Sequence, residues 1–161
     1  MTMFFNLPCK FFPFFVLIFF FSHNTFAKGD LTRKNPVSIT IKMASQAGVS
    51  HSFIPNTIKL ETGKLYKISL VNDTNEKHYF SSPKFANSVF TRKVQVVKDG
   101  KRLAEIKGII KDLEVFPKAT LEWWLVPIQT GVFDDLHCHV MDKKAGKTHE
   151  ELGMTGKIEV K

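Results

Sequence analysis

Residues 131 to 160 read GVFDDLHCHVMDKKAGKTHEELGMTGKIEV. Gly131 to Val140 and Gly156 to Val160 read as strands, the second alternating Ile158 and Val160 with Lys157 and Glu159, which is the period-two mark of a half-buried strand. Outward from this pair the pattern recurs. Val37 to Met43 alternates in the same way, and Ile58 to Leu60 and Leu65 to Val71 flank the turn Glu61-Thr62-Gly63-Lys64. His78-Tyr79-Phe80 follows the polar loop Asn72 to Lys77, and Lys93 to Val97 is joined to Leu103 to Ile106 through Asp99-Gly100, a strong hairpin signal. Leu113 to Phe116 and Thr120 to Val126 end near Pro117 and Pro127, while Ser82-Pro83 starts one or two helical turns reaching Phe90. Short strands at regular spacing with one short helix predict an all-β chain, an antiparallel sandwich or barrel of about 7 to 8 strands.

The 161 residues suit one ordinary domain, and 43% hydrophobic with 24% charged side chains excludes a disordered or collagen-like chain. Two cysteines exclude a disulfide-dense mini-protein and a four-cysteine zinc site. Ten of the 16 phenylalanines fall before residue 28. Lys10, the apolar run Phe11 to Phe21 and the polar stretch to Ala27 have the order of a secretory signal peptide, and the run is short for a membrane span. The expected organisation is a signal peptide over 1–27, with an uncleaved anchor as the alternative, a basic leader over 28–36 and one β domain over 37–161. Cleavage after Ala27 removes one cation, Lys10, and no acid, taking the charge from +8 to +7. Export, to the periplasm, argues against nucleic acid as a partner despite that charge.

Cleavage also leaves Cys138 as the lone thiol, among His137, His139, His149, Met141 and Met154. Thiolate, imidazole and thioether are borderline-to-soft ligands that suit copper better than magnesium or calcium. A trigonal site of two His and one Cys with a long axial Met needs a strand end for the thiolate, a loop returning His and Met, and a second His from a neighbouring strand. Cys138, His149 and Met154 meet the first two demands and His78 the third.

On these residues the chain resembles the cupredoxins, the small secreted single-domain members in particular. The resemblance covers roughly Ser52 to Lys161: Phe53-Ile54-Pro55, Ile58 and Gly63, then Val71-Asn72 to His78-Tyr79-Phe80, and most specifically Cys138…His149-x4-Met154-x-Gly156-x-Ile158-x-Val160. It implies a Greek-key β-sandwich and one copper ion per chain held by His78, Cys138, His149 and Met154. Most small cupredoxins place two to four residues between Cys and His, whereas ten separate Cys138 from His149; copper nitrite reductases have a longer loop with the same His-x4-Met ending. His139 and Met141 stand as alternative ligands if the inserted loop displaces His149. His137-Cys138-His139 also resembles the run of multicopper oxidases, but the His-x-His pairs of a second domain that such a cluster needs are not in this chain.

The resemblance implies a one-electron carrier and not an enzyme, meeting an acidic redox partner protein or, transiently, an anionic membrane surface. Copper handling, by Cu(I) buffering or delivery to a recipient protein through the His-Cys-His-x-Met run, is the alternative. Of the other candidates, His51 between Ser50 and Ser52 reads as a surface residue, His137 as an outward residue near the site, and Trp123-Trp124 as one core and one partly exposed side chain.

Overall fold

A computed structural model describes residues 34–161; the expected signal peptide and most of the expected basic leader lie outside them. In chain order the elements are β1 (Val37–Gln46), β2 (Ser50–Ile54), β3 (Thr57–Leu60), β4 (Tyr66–Asn72), β5 (His78–Ser81), α1 (Pro83–Ala86), β6 (Val89–Lys98) and β7 (Lys101–Ile106). They continue with β8 (Asp112–Val115), β9 (Thr120–Pro127), β10 (Gly131–His137), β11 (Met141–Asp142), β12 (Lys147–Thr148) and β13 (Thr155–Val160). In β4, Tyr66, Ile68, Leu70 and Asn72 are buried while Lys67, Ser69 and Val71 are half-buried on the other face, so the alternation read from the sequence is the alternation of the pleat.

The strands form a six-stranded sheet, β2-β1-β4-β9-β6-β7, and a five-stranded sheet, β3-β13-β10-β5-β8, with β11-β12 as a separate ribbon. Ile41, Ile68, Leu70 and Leu125 of the first sheet meet Phe80, Leu136 and Ile158 of the second in one core. Trp123 receives the edges of Phe80 and Phe85 at 6.4 and 5.7 Å between ring centres, an arrangement aromatic rings favour. The all-β sandwich is therefore the fold, with two of its pairings parallel: β1 with β4 and β3 with β13.

Trp123 is buried, and Trp124 faces outward under the Lys93 ammonium, 4.7 Å from the ring centre. The helix is one turn, shorter than the expected run to Phe90. Ser82 Oγ donates to Asp135 at 2.7 Å and makes no side-chain cap, and from Val89 the chain pairs with Pro127 of β9. β2 is a strand the sequence reading did not assign; it pairs with β1, Ser45 opposite His51.

Candidate metal centre

Asn72, at the end of β4 and fully buried, organises the loop that delivers His78. Its Nδ2 donates to the carbonyls of Glu76 and Val115, both at 2.8 Å, and its Oδ1 accepts the Thr74 amide at 3.0 Å and hydroxyl at 2.7 Å. Two carbonyl acceptors on Nδ2 fix the orientation of the amide. The Thr74 hydroxyl proton has two oxygen acceptors, Asn72 Oδ1 at 2.7 Å and Glu76 O at 3.0 Å, and Thr74 Oγ1, 3.0 Å from His78 Nε2, accepts the imidazole N–H. His78 is left with a lone pair on Nδ1, pointing inward.

Cys138 follows β10 directly and is fully buried. Its sulfur accepts the Tyr79 amide at 3.2 Å, so the residue after His78 orients the thiol. The ten residues between Cys138 and His149 are folded aside. Asp142 caps the β11-β12 hairpin, its Oδ1 accepting the Lys144 and Ala145 amides at 2.8 and 2.9 Å, and Gly146 takes the left-handed conformation, φ 66°, that glycine adopts at no steric cost. Beneath the hairpin the chain closes on itself: the His149 amide donates to Val140 O at 2.8 Å and the Glu150 amide to Cys138 O at 2.9 Å. His149 therefore returns beside Cys138 despite the loop length.

His149 Nδ1 lies 3.1 Å from His78 Nδ1 and 3.5 Å from Cys138 Sγ. Met154 is fully buried, its amide donating to His149 O at 2.8 Å and its carbonyl accepting the Cys138 amide at 3.2 Å. Gly156 lets β13 lie close to its neighbours: a Cβ there would stand 2.5 Å from Asn56 O and 2.9 Å from Leu136 Cδ2. All four residues named from the sequence thus sit in one buried neighbourhood. The two alternatives lie outside it. His139 is exposed, its ring 4.2 Å from that of Tyr79, and Met141 is 55% exposed opposite Thr148. His137 is half-buried, donating Nδ1–H to Asp135 O at 2.8 Å.

His51 corrects the surface reading: it is 2% exposed. Its ring stacks on His149 at 3.7 Å between centres, its Nε2–H donates to Asp142 Oδ2 at 2.9 Å, and its Nδ1 is buried with no hydrogen-bond partner. His51, His78 and His149 each offer a nitrogen within 4.8 Å of the others. Asp142, Glu76 and Asn72 were also missed. The signal for His51 was present, because Ser50-His51-Ser52-Phe53-Ile54 alternates and puts His51 on the face of Phe53.

Burial, then the neighbouring His149 and His51, push the His78 pKa down to about 4, and burial followed by His51 lowers that of His149. Both imidazoles are therefore neutral at pH 7, the form that ligates metals. Burial pushes the Cys138 thiol up, against the Tyr79 and Val140 amides. The Gly48 and Ala145 amides, then His51, hold the Asp142 carboxyl well below the usual carboxylate range. Two neutral imidazoles 3.1 Å apart, a thiol 3.5 Å from one of them, and a buried methionine tied by its backbone to His149 and Cys138 form a donor set that fits copper.

No protein-family model and no curated protein matches the sequence. Solved structures match the fold. Copper nitrite reductase from Nitrosomonas europaea has a TM-score of 0.59 at 11% identity, covering 83% of this chain and 52% of that one. Multicopper oxidase from Campylobacter jejuni has 0.55 at 18%, covering 79% and 30%, and the Cu-containing nitrite reductase from Thermus scotoductus SA-01 has 0.53 at 16%, covering 81% and 32%. The fold is that of the cupredoxins. The chain spans about a third to a half of the length of these copper proteins.

Proposed function

We propose that the protein binds one copper ion through His78, Cys138, His149 and Met154 and serves as an exported one-electron carrier. The observation that carries this reading is that His149 Nδ1 lies 3.1 Å from His78 Nδ1 and 3.5 Å from Cys138 Sγ, with all three side chains buried. A copper ion there would supply a Cu(II)/Cu(I) couple. The chain's part is to keep the ligands still and water away. Thr74 holds His78 by its far nitrogen, the Tyr79 amide holds the sulfur, and His51 packs flat on His149. Such outer contacts fix ligand orientation and lower reorganisation on electron transfer. They also favour a carrier over the copper-handling alternative, which draws on the exposed His139 and Met141 for a labile site. The +7 charge expected after cleavage suits an acidic partner protein in a small, transient encounter.

One equivalent of Cu(II) added to the protein without residues 1–27 should produce an intense thiolate-to-copper absorption band. Cys138→Ser should abolish the band. Colourless binding of Cu(I) with rapid loss to a chelator would favour handling, and failure to bind either ion stoichiometrically would refute the copper reading.

A further inference from the structure

The two sheets do not end together. The six-stranded sheet ends in β7 and the five-stranded one in β8, and every residue of β7 is exposed, so no strand of the second sheet covers its inner face. Ile106 and Ala104 pair with Val94 and Val96, the first of which is buried in the core and the second packed against it, so both lie on that inner face. The space beneath them is a cleft of about 400 Å³ whose lining includes Ile106, Ile110, Leu113 and Phe116. Leu103 and Pro117 border a second hollow of about 510 Å³, which shares Val96 and Ala119 with the first.

Large apolar side chains stand out around this opening. Ile109 is 77% exposed, the highest value among the large apolar side chains of the described residues, with Leu103 at 64%, Phe116 at 60% and Ile106 at 51%. A patch of this kind marks a place where a protein or a membrane is met, and its charges distinguish the two. Ile109 and Ile110 lie between Lys107 and Lys111, and from Lys98 to Lys118 six basic residues stand against four acidic ones. Of the acids, Glu105 is shared by Lys93, Arg102 and Lys107, Glu114 is paired with Lys77, and Asp99 and Asp112 each directly follow a lysine. Lys98, Lys101 and Lys111 are exposed and form no ion pair among the described residues. Lysines beside exposed isoleucines lay their stems along the apolar surface and carry the ammonium outward to a phosphate. A second copy of the chain fits less well, since it would bring the +7 charge expected after cleavage against itself.

We infer that this open side, from Lys98 to Lys118, docks on an anionic bilayer, with Ile109 and Phe116 entering the headgroup layer and Lys101, Lys107 and Lys111 meeting lipid phosphates. Binding of this kind draws its strength from buried apolar area and from attraction to anionic lipid together. The docking does not depend on the copper reading. It bears on it, because Phe116 follows Val115, which pairs with His78: the docked side adjoins the strand that carries a proposed ligand.

The test is co-sedimentation of the protein without residues 1–27 with vesicles of equal parts phosphatidylcholine and phosphatidylglycerol, against vesicles of phosphatidylcholine alone. Expected is binding at least about tenfold tighter to the anionic vesicles. Ile109→Ser, which changes no charge and alters a largely exposed side chain, should weaken that binding at least about fivefold. Lys111→Gln should weaken it about three- to fivefold. Lys59→Gln, in β3 at the opposite edge of the five-stranded sheet from β8, should stay within about twofold of the parent. Equal losses in Lys59→Gln and Lys111→Gln would reduce the binding to diffuse attraction and overturn the inference, as would undiminished binding by Ile109→Ser or the lack of any preference for anionic vesicles. A dimer in vesicle-free sedimentation that Ile109→Ser dissociates would overturn it in favour of a second copy on this side.

Discussion

Acidifying the metal-free protein should destabilise it through His78. The unfolded chain takes up a proton on this imidazole near pH 6.5, whereas the buried, folded imidazole resists until about pH 4. A gap of about 2.5 pH units at about 1.4 kcal/mol each is worth about 3–4 kcal/mol. The unfolded state binds more protons throughout that window. The stability is therefore fully present above pH 6.5 and lost as the pH falls towards about 4. His149, lowered by the same burial, steepens the fall. Against a typical total of about 5–15 kcal/mol the effect is large. Urea midpoints measured between about pH 7.5 and about pH 4.5 should drop accordingly. His78→Gln, whose amide can still donate to Thr74, should show less than about half of the slope. A flat profile in the parent, or an unchanged slope in His78→Gln, would refute the reasoning that burial keeps this ligand neutral.

Three further outcomes follow from single contacts. Gly156→Ala drives a methyl group to 2.5 Å from the Asn56 carbonyl oxygen and 2.9 Å from Leu136, and should cost about 2–3 kcal/mol in urea unfolding. Asn72→Ala leaves the Glu76 and Val115 carbonyls without their donor and should cost about 3 kcal/mol, with copper binding impaired because the loop that delivers His78 loses the amide that organises it. Asp142→Asn cannot match a carboxylate that accepts from Gly48, Lys144, Ala145 and His51; hydrogen exchange at those three amides should quicken while amides of β9 stay protected.

The sheets were legible because their strands alternate, as Tyr66–Asn72 does, and because Asp99-Gly100 marks its hairpin locally. Cys138, His149 and Met154 were legible because they are close in sequence and differ in chemistry from their neighbours. For His51 only the local alternation was legible, because the partner that fixes its ring, Asp142, is 91 residues away. Reading Ser50 and Ser52 as a polar segment averaged over the alternation that buries the residue between them. Glu76 was hidden for a related reason, since an acid between Asn75 and Lys77 reads as solvated until the fold sets it against two imidazoles. The parallel pairings β1–β4 and β3–β13 depend on which sheet each strand joins, and no local pattern encodes that choice.

β2 is an outer strand of the six-stranded sheet, and outer strands offer unpaired amides and carbonyls to other chains. Here the loop ending in Met154 lies against it: the His51 amide donates to Leu152 O at 3.1 Å and the Gly48 amide to Asp142 Oδ2 at 2.6 Å. On the opposite rim β7 is exposed along its whole length and bears Lys101, Arg102 and Glu105, charges that deter strand-to-strand association. The short loop between His149 and Met154 thus also guards one rim of the sandwich, so shortening it would change not only the site but the tendency of the protein to self-associate.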